Sequence, residues 1–357
     1  MSIGTKLNAW GRLVRLPNLL TAWGDPVAGF ILVWVVTKGV GVWDQPGAFT
    51  PHLPRLIFAA LTSLVLYAMG MVQNDLAHVN RDRASRPDRP IVSGVIPPRE
   101  ASLGIVLLTL LGMLFAFLTR PDASSQLSPF VRSGAMMVAL VLVIAITFYN
   151  YVAAFHRWLA PVSMGLCRAL SVLFGAVAAD PTIFDREDLV PLWPVWTIAG
   201  AVGLYIALVT AIAARETETR RIGLIRWAPT LVLFIGIEVA VLWVLRSLNA
   251  EPAIPDLPPG FMLDPSSVES KADIIQHVPW MMLGQGAIVW GIFCSTRLRG
   301  VCTPAQTGKT IGMFIRGLLL VQAMLIASAG IFGAAIAGIV LLGWPVNRLL
   351  SKAFPPS

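Results

Sequence analysis

Charge is scarce in this sequence. Only 13% of its 357 residues are charged, which is about half of the roughly 25% found in an ordinary soluble domain. Hydrophobic residues make up 56% of the chain, and the mean hydropathy is +0.73. A soluble fold of this length could not bury so much apolar sequence. We therefore predict an all-α, polytopic transmembrane helical bundle, integral to the cell membrane.

Cysteine is also rare, and its spacing excludes two further classes. Cys167, Cys294 and Cys302 form no CxxC pair, so neither a disulfide framework nor a zinc site is indicated. The net charge of +8 does not indicate nucleic acid, because most lysines and arginines lie between apolar runs, where membrane orientation alone places them. Pro17 and Asp25 interrupt the first apolar region, so we expect no cleavable signal peptide.

Residues 1–15 have the pattern of an amphipathic helix lying on the membrane surface. Apolar runs of spanning length follow. The nine predicted spans are 16–36, 54–74, 102–119, 130–154, 158–179, 192–214, 226–248, 278–296 and 319–344. The segment before the last span, 308–318, carries Arg316 and is expected in the membrane interface. The alternative is ten spans, in which residues 308–326 cross separately. We expect a single membrane domain over 1–357, arranged around a central cavity.

Loop charge predicts the orientation. Loops 75–101 and 215–226 are rich in arginine and should be cytoplasmic, together with the N-terminus. The loop at 249–277 is acidic and rich in proline, so we place it on the opposite, extracytoplasmic side.

Asp25, Arg168 and Glu238 lie near the middle of predicted spans. Asp25 precedes Pro26, a pair that favours a break into two half-helices with Asp25 as the cap. An unpaired charge at such depth costs at least about 2.5–3.5 kcal/mol. We therefore expect Arg168 to face the bundle interior and to pair with Glu238, with Asp25 or with a ligand phosphate.

The stretch that follows the second span carries the clearest chemistry. Asp75, His78 and Asp82 are spaced to share one helical face, and Arg86 and Arg89 follow, each held extended by the next proline. Carboxylate oxygens bind Mg²⁺, and guanidinium groups bind the phosphate oxygens that the metal leaves free. The stretch thus predicts a metal–diphosphate site. The alternative is a charged cytoplasmic loop without a ligand.

A second acidic stretch is expected on the same side of the membrane. Glu216 and Glu218 follow the end of the sixth apolar run. They lie on roughly opposite faces of a helix, so only one can point into a shared pocket. Glu216 has an alternative partner in Arg220, four residues on.

Together these motifs resemble the UbiA superfamily of intramembrane prenyltransferases. The stretch Asn74-Asp75-x-x-His78-x-x-x-Asp82, followed by two Arg-Pro pairs and Ser-Gly, is similar to the first motif of that family. Tyr149-Asn150 and His156-Arg157 stand where the family has an aromatic/asparagine pair and a basic pair. Within the superfamily the sequence looks most like the UbiA-like proteins of bacterial ebo-type operons.

The resemblance implies Mg²⁺ as cofactor and a prenyl diphosphate and a hydrophobic or aromatic acceptor as partners. It assigns Asp75 and Asp82 to the metal, with Glu216 or Glu218 at a second metal. The implied diphosphate ligands are Asn74, Arg86, Arg89 and Arg157.

The sequence departs from the family pattern twice: His78 replaces an acidic residue, and the second motif has no aspartate. We expect His78 to donate to a phosphate oxygen or to act as a base.

Two functions from different classes remain open on the sequence. One is Mg²⁺-dependent transfer of an isoprenyl group to an aromatic or lipid acceptor within the membrane. The other is non-catalytic binding or transport of a lipid or aromatic metabolite, since the acidic motifs are reduced. Convergence of Asp75, Asp82 and one of Glu216 and Glu218 on a common void would favour the enzyme. A void lined by arginines, with the glutamates turned away, would favour the binder or carrier.

Overall fold

A computed structural model describes residues 3–38, 42–44, 47–121, 127–184, 193–214, 216–249 and 271–353, with helices throughout. The helices are α1 (Ile3–Leu13), α2 (Leu16–Leu19), α3 (Gly24–Lys38), α4 (Leu53–Ala77), α5 (Val79–Ser85), α6 (Pro98–Leu118), α7 (Pro129–Arg132), α8 (Gly134–Tyr151), α9 (Leu159–Ala179), α10 (Trp193–Ala213), α11 (Ala228–Asn249), α12 (Lys271–Arg297), α13 (Pro304–Ala327) and α14 (Ile331–Ala353). Short 3-10 turns lie at Thr50–His52, Ala153–Phe155, Pro181–Phe184 and Gly223–Trp227, and two short strands, β1 (Arg220–Arg221) and β2 (Val301–Cys302), pair antiparallel.

Ten of the helical segments in the described part of the chain are long and apolar enough to cross a membrane. The count of nine is thus one short, and the ten-span alternative is the one that matches. The run predicted as a single span at 319–344 divides at Gly330, whose φ of +100° favours glycine. Asp44 accepts a hydrogen bond from the backbone N–H of Ile331 there, at 2.7 Å. Residues 308–318 are the first half of the buried helix α13 rather than an interfacial segment.

The first span is interrupted next to Asp25-Pro26, as the sequence predicted. The short helix α2 is followed by turns, and α3 begins at Gly24 and occupies the centre of the bundle, buried along most of its length. It packs against α9 so closely that a side chain at Gly175 would collide with the backbone of Pro26. Small residues at such crossings are typical of helix packing in membranes.

Several connections meet at the end of the bundle where α4 ends and α6 begins. We call it the motif end; it comprises residues 74–97, 152–158, 214, 216–227 and 298–303. The predicted loop 75–101 is largely helical here, because α4 continues to Ala77 and α5 follows at once. The segment 215–226 pairs through β1 with β2. Residues 250–270 of the predicted loop 249–277 lie outside the described residues, and the chain on either side of them is helical.

Helix α1 lies across the motif end, with Ala9 and Leu13 buried against it. Glu100, at the start of α6, forms an ion pair with Lys6 at 2.8 Å and accepts a hydrogen bond from Trp10 Nε1 at 3.1 Å. The predicted amphipathic helix is therefore present, and part of its apolar face packs on protein. Leu7, an apolar residue of the same helix, stays 66% exposed.

Candidate functional site

The two aspartates of the first motif are held by helix ends. Asp75 lies in the last turn of α4 and Asp82 in α5, and His78 joins the two helices. Backbone hydrogen bonds from His78 N to Asn74 O and from Asp82 N to His78 O carry the helical register through this joint, at 3.1 and 2.9 Å. Both carboxylates are buried on the same side, as the spacing predicted.

Arg89 joins the two carboxylates. Its Nη1 atom donates to Asp75 Oδ1 at 3.1 Å and also to Asp82 Oδ2. The Arg89 side chain is only 3% exposed. Burial lowers the pKa of Arg89 from its ordinary value, and the neighbouring Asp75 carboxylate opposes that shift. The arginine stays charged at neutral pH, since its ordinary pKa is above 12.

Arg15 is a site residue that the motif analysis missed. Its Nη2 lies 3.4 Å from Asp75 Oδ1, and its backbone is left-handed, with φ of 51°. This conformation is uncommon for a residue other than glycine, and it occurs where the chain turns from α1 into α2. Sequence spacing gives no signal for this contact, because 60 residues separate Arg15 from Asp75.

Asn74 lies in an amide network rather than alone at the site. Its Nδ2 donates to Asn150 Oδ1 at 3.2 Å, and Asn150 Nδ2 donates to Gly70 O at 3.0 Å and Gln73 Oε1 at 3.2 Å. Gln73 in turn donates to Thr147 Oγ1 at 3.2 Å. These bonds tie the end of α4 to the end of α8, next to the acidic pair.

His78 is half-buried beside the acidic pair. Its ring stands edge-on to Phe155, with centroids 4.7 Å apart. Its Nδ1 atom has no hydrogen-bond partner among the described residues. Burial, the largest influence, lowers the pKa of His78 despite the nearby Asp82 carboxylate. The imidazole is therefore predominantly neutral at pH 7, a form that can accept a proton.

The other predicted ligands are not gathered around the carboxylates. Arg86 is half-buried on the same segment, whereas Arg157 is exposed and stacks on Trp158, with its guanidinium carbon 4.6 Å from the ring centroid. Glu218 is exposed. Glu216 is half-buried, with its Oε2 directed toward Gly308 in the first turns of α13. Within the described ranges, no three acidic, histidine or cysteine side chains are grouped to hold a metal. The metal roles of Glu216 and Glu218 remain predictions.

A pocket in the bundle lies next to this site, with about 530 Å³ of space when its open mouth is included. Helices α4, α8 and α9 form most of its wall, and Gly70 and Asn150 belong to its lining. Gly70 is five residues before Asp75, which is about 8 Å along a helix axis. The acidic pair therefore lies close to one end of this largely apolar cavity.

A second ionic group borders the cavity within the membrane-spanning region. Arg168 Nε lies 2.8 Å from Asp25 Oδ2, and Arg168 Nη2 donates to Thr21 O at 3.1 Å. Gln322 donates to Asp25 Oδ1 at 2.6 Å. Of the predicted alternatives for Arg168, pairing with Asp25 is confirmed, and Asp25 acts in an ion pair. Glu238 accepts from Gln285 Nε2 at 2.9 Å instead.

Comparison with known proteins places these features in a family. The model of the UbiA prenyltransferase family matches residues 32–249, more than half of the chain. The chain belongs to the UbiA prenyltransferase family. The matched region contains Asp75, Asp82 and Arg89, together with both glutamates of the second motif.

Curated relatives align over shorter stretches. A digeranylgeranylglyceryl phosphate synthase from Methanosarcina barkeri is 30% identical over 165 residues, 46% of this chain and 52% of the relative. A 4-hydroxybenzoate octaprenyltransferase from Acidovorax ebreus is 32% identical over 114 residues, 31% of this chain and 38% of the relative. The aligned region spans about half the length of the first of these relatives and less of the second.

Solved structures share the UbiA fold. One, described as giving insights into digeranylgeranylglyceryl phosphate synthase in membranes, has a TM-score of 0.53 at 15% identity and covers 91% of this chain and 98% of that one. A UbiA homologue from Archaeoglobus fulgidus bound to DMAPP and Mg²⁺ gives a TM-score of 0.46 at 16% identity, covering 87% of this chain and 98% of that one. The first of these shows the common fold. The placement within the ebo-type subgroup remains a prediction.

Proposed function

We propose that this UbiA family protein transfers an isoprenyl group from a prenyl diphosphate to a lipid or aromatic acceptor, with Mg²⁺ as cofactor. The observation that carries the proposal is the convergence of two buried carboxylates, Asp75 and Asp82, on one cationic nitrogen at the end of a largely apolar cavity. The two curated relatives described above support the reaction class, since both are named as enzymes of isoprenoid transfer or prenyl-lipid synthesis. The predicted cytoplasmic orientation would place this end of the cavity at the inner face of the membrane.

The residues fit a magnesium ion. Asp75 and Asp82 supply hard oxygen donors that already reach a common cation position, which Arg89 Nη1 marks in this structure. His78 is a poor ligand for such an ion. We assign the metal to the two carboxylates, with Glu216 as a candidate for a second ion, because it is less exposed than Glu218. Bound Mg²⁺ would neutralise charge on the diphosphate leaving group.

The chain's own groups account for the remaining steps. Arg86 and Arg89 bind diphosphate oxygens, and they stabilise the negative charge that develops as the allylic C–O bond breaks. The cavity below encloses the isoprenyl chain and limits access of water to the carbocation. The acceptor then forms the new bond to the allylic carbon and releases a proton. We assign acceptance of that proton to neutral His78, which lies beside the acidic pair.

Diphosphate release in detergent, with prenyl diphosphates of increasing length and lipid and aromatic acceptors, tests the proposal. We expect release only when Mg²⁺ is present. Asp75→Asn should reduce the rate on the order of 100-fold or more, a typical cost of losing transition-state charge stabilisation. Asp88→Asn is the matched control, because Asp88 is an exposed aspartate on the same segment that contacts Arg12.

The second candidate is a binder or carrier of a lipid or aromatic metabolite, and the same assay separates it from the enzyme. A carrier would bind prenyl diphosphates or the acceptor without releasing diphosphate. Equal rates for wild type and Asp75→Asn would show that the assignment of this segment to the metal is wrong.

A further inference from the structure

The geometry of Arg89 differs from that of an ordinary arginine–carboxylate pair. Such pairs commonly use two guanidinium nitrogens on the two oxygens of one carboxylate. Here a single nitrogen, Nη1, is shared by oxygens from two carboxylates, Asp75 and Asp82. One cation between two anionic oxygens is the arrangement expected of a bridging metal ion. Arg89 therefore lies on the position that the two carboxylates offer to a divalent cation.

The remainder of the Arg89 guanidinium is not fully satisfied. Its Nε atom is buried and has no hydrogen-bond partner among the described residues. Removing an arginine from water without full hydrogen bonding is unfavourable. The contacts that hold Arg89 at this position are those of Nη1 with the two carboxylates, and Nε adds none.

Arg89 reaches the two carboxylates from a turn segment and not from one of the helices that carry them. It lies between α5 and α6, where the chain forms turns rather than a continuous helix. Arg15 differs, because it is one-third exposed and contacts only Asp75, at 3.4 Å. Among the described arginines, Arg89 is the one that pairs with both aspartates.

We propose that Arg89 is an internal counter-ion that competes with the divalent cation for Asp75 and Asp82 and moves onto the diphosphate when the metal–diphosphate binds. This inference rests on the proposed function. A divalent ion and Arg89 Nη1 compete for the same position between Asp75 Oδ1 and Asp82 Oδ2, and like charges in contact repel. The displaced guanidinium, whose planar group matches phosphate oxygens, then finds a new anionic partner on the substrate.

The exchange has a thermodynamic consequence. Metal alone must displace Arg89 without providing it with a new partner, so it binds weakly. Metal together with diphosphate provides that partner, so the two ligands favour each other's binding. Arg89 thereby couples metal binding to the arrival of substrate and keeps the two carboxylates neutralised until then.

Binding of Mn²⁺ alone to the full chain in detergent tests the proposal, with the free-ion EPR signal as the readout. We expect Arg89→Gln to bind Mn²⁺ at least about tenfold more tightly than wild type, because the competing cation is gone. Arg83→Gln is the matched control. This variant removes the same charge from an exposed arginine next to Asp82, and the Arg83 side chain bonds to Asn80 and not to either aspartate. It should bind Mn²⁺ as wild type does.

A kinetic measurement sharpens the test. In Arg89→Gln, the Mg²⁺ concentration for half-maximal diphosphate release should fall, while the maximal rate should also fall because a phosphate ligand is missing. If Arg89→Gln does not fold, Arg89→Lys takes its place in the Mn²⁺ binding measurement. Lysine keeps the charge, but it is shorter and lacks the planar group, so it competes less well for the position between the two carboxylates. Tighter Mn²⁺ binding by Arg89→Lys supports the proposal, and unchanged or weaker binding overturns it.

The proposal is overturned if Arg89→Gln binds Mn²⁺ no more tightly than Arg83→Gln. If wild type still releases diphosphate with Mg²⁺, that result leaves the proposed function intact and removes only the counter-ion role. If neither wild type nor any variant binds Mn²⁺, with or without inorganic diphosphate, both the counter-ion role and the metal-dependent function are wrong.

Discussion

Two ionic groups lie along the same cavity, and they differ in how completely their charges are paired. At the motif end, Asp75 and Asp82 share one nitrogen of Arg89. Deeper in the membrane, Asp25 has Arg168 on one oxygen and Gln322 on the other. The deep group ties α3, α9 and α13 together, whereas the group at the motif end joins a helix end to a turn segment. The deep group has a separate partner near each Asp25 oxygen and connects three helices, whereas the cation shared at the motif end remains available to a ligand.

The largest effect is expected from breaking the deep pair. Arg168→Leu or Asp25→Leu alone should lower the free energy of unfolding by about 3–5 kcal/mol, because each leaves a buried charge without its partner. The double variant, Asp25→Leu with Arg168→Leu, should be much less destabilised. Unfolding in mixed micelles by a denaturing detergent measures all three. A double variant as unstable as the singles would show that the pair is not the stabilising feature.

An intermediate effect is expected at the amide network around Asn150, which lines the cavity. Asn150→Leu removes the partner of Asn74 and of Gln73, and should cost about 1–3 kcal/mol through unsatisfied buried amides. Ser163→Ala is a suitable control, since the Ser163 hydroxyl bonds only to carbonyl groups of its own helix. The melting temperature in detergent gives the readout, and equal values for the two variants would contradict the amide network's role.

The smallest effect is a pH dependence at the motif end. The folded protein lowers the pKa of His78, whereas an unfolded histidine titrates near about 6.5. The unfolded chain therefore binds more protons below that pH, so His78 contributes stability that is present above about pH 6.5 and lost as the pH falls below it. Melting temperatures between pH 7.5 and 5.5 should decline less for His78→Gln than for wild type.

The exposed His156 supplies the control for this pH series. His156→Gln should follow the wild-type curve. A curve for His78→Gln that parallels wild type throughout would assign the pH dependence to other groups.

Much of the site was predictable because its residues are near each other in sequence. Asp75 and Asp82 are seven residues apart, which is two turns of a helix, so local backbone geometry alone puts them on the same face. The role of Arg89 was predicted only as a phosphate ligand, and its bond to both aspartates emerges from the folding of the turn segment. Arg15 could not be predicted, because it approaches Asp75 only through the packing of α1 across the motif end.

The span count shows the same limit. The run from 319 to 344 is apolar throughout, so hydropathy alone reads it as one helix. The turn at Gly330 is stabilised by Asp44, a residue from the connection after α3. A contact over that distance in sequence is decided by tertiary packing.

The sequence by itself determined the membrane location, the all-helical class and the adjacent aspartates, because these depend on composition and short-range periodicity. Only the tertiary structure decided which cation each buried carboxylate meets: Arg89 and Arg15 at Asp75, Arg89 at Asp82 and Arg168 at Asp25. The physical reason is that a charge removed from water must be neutralised by whatever group the packing brings near it, and sequence distance places no constraint on that partner.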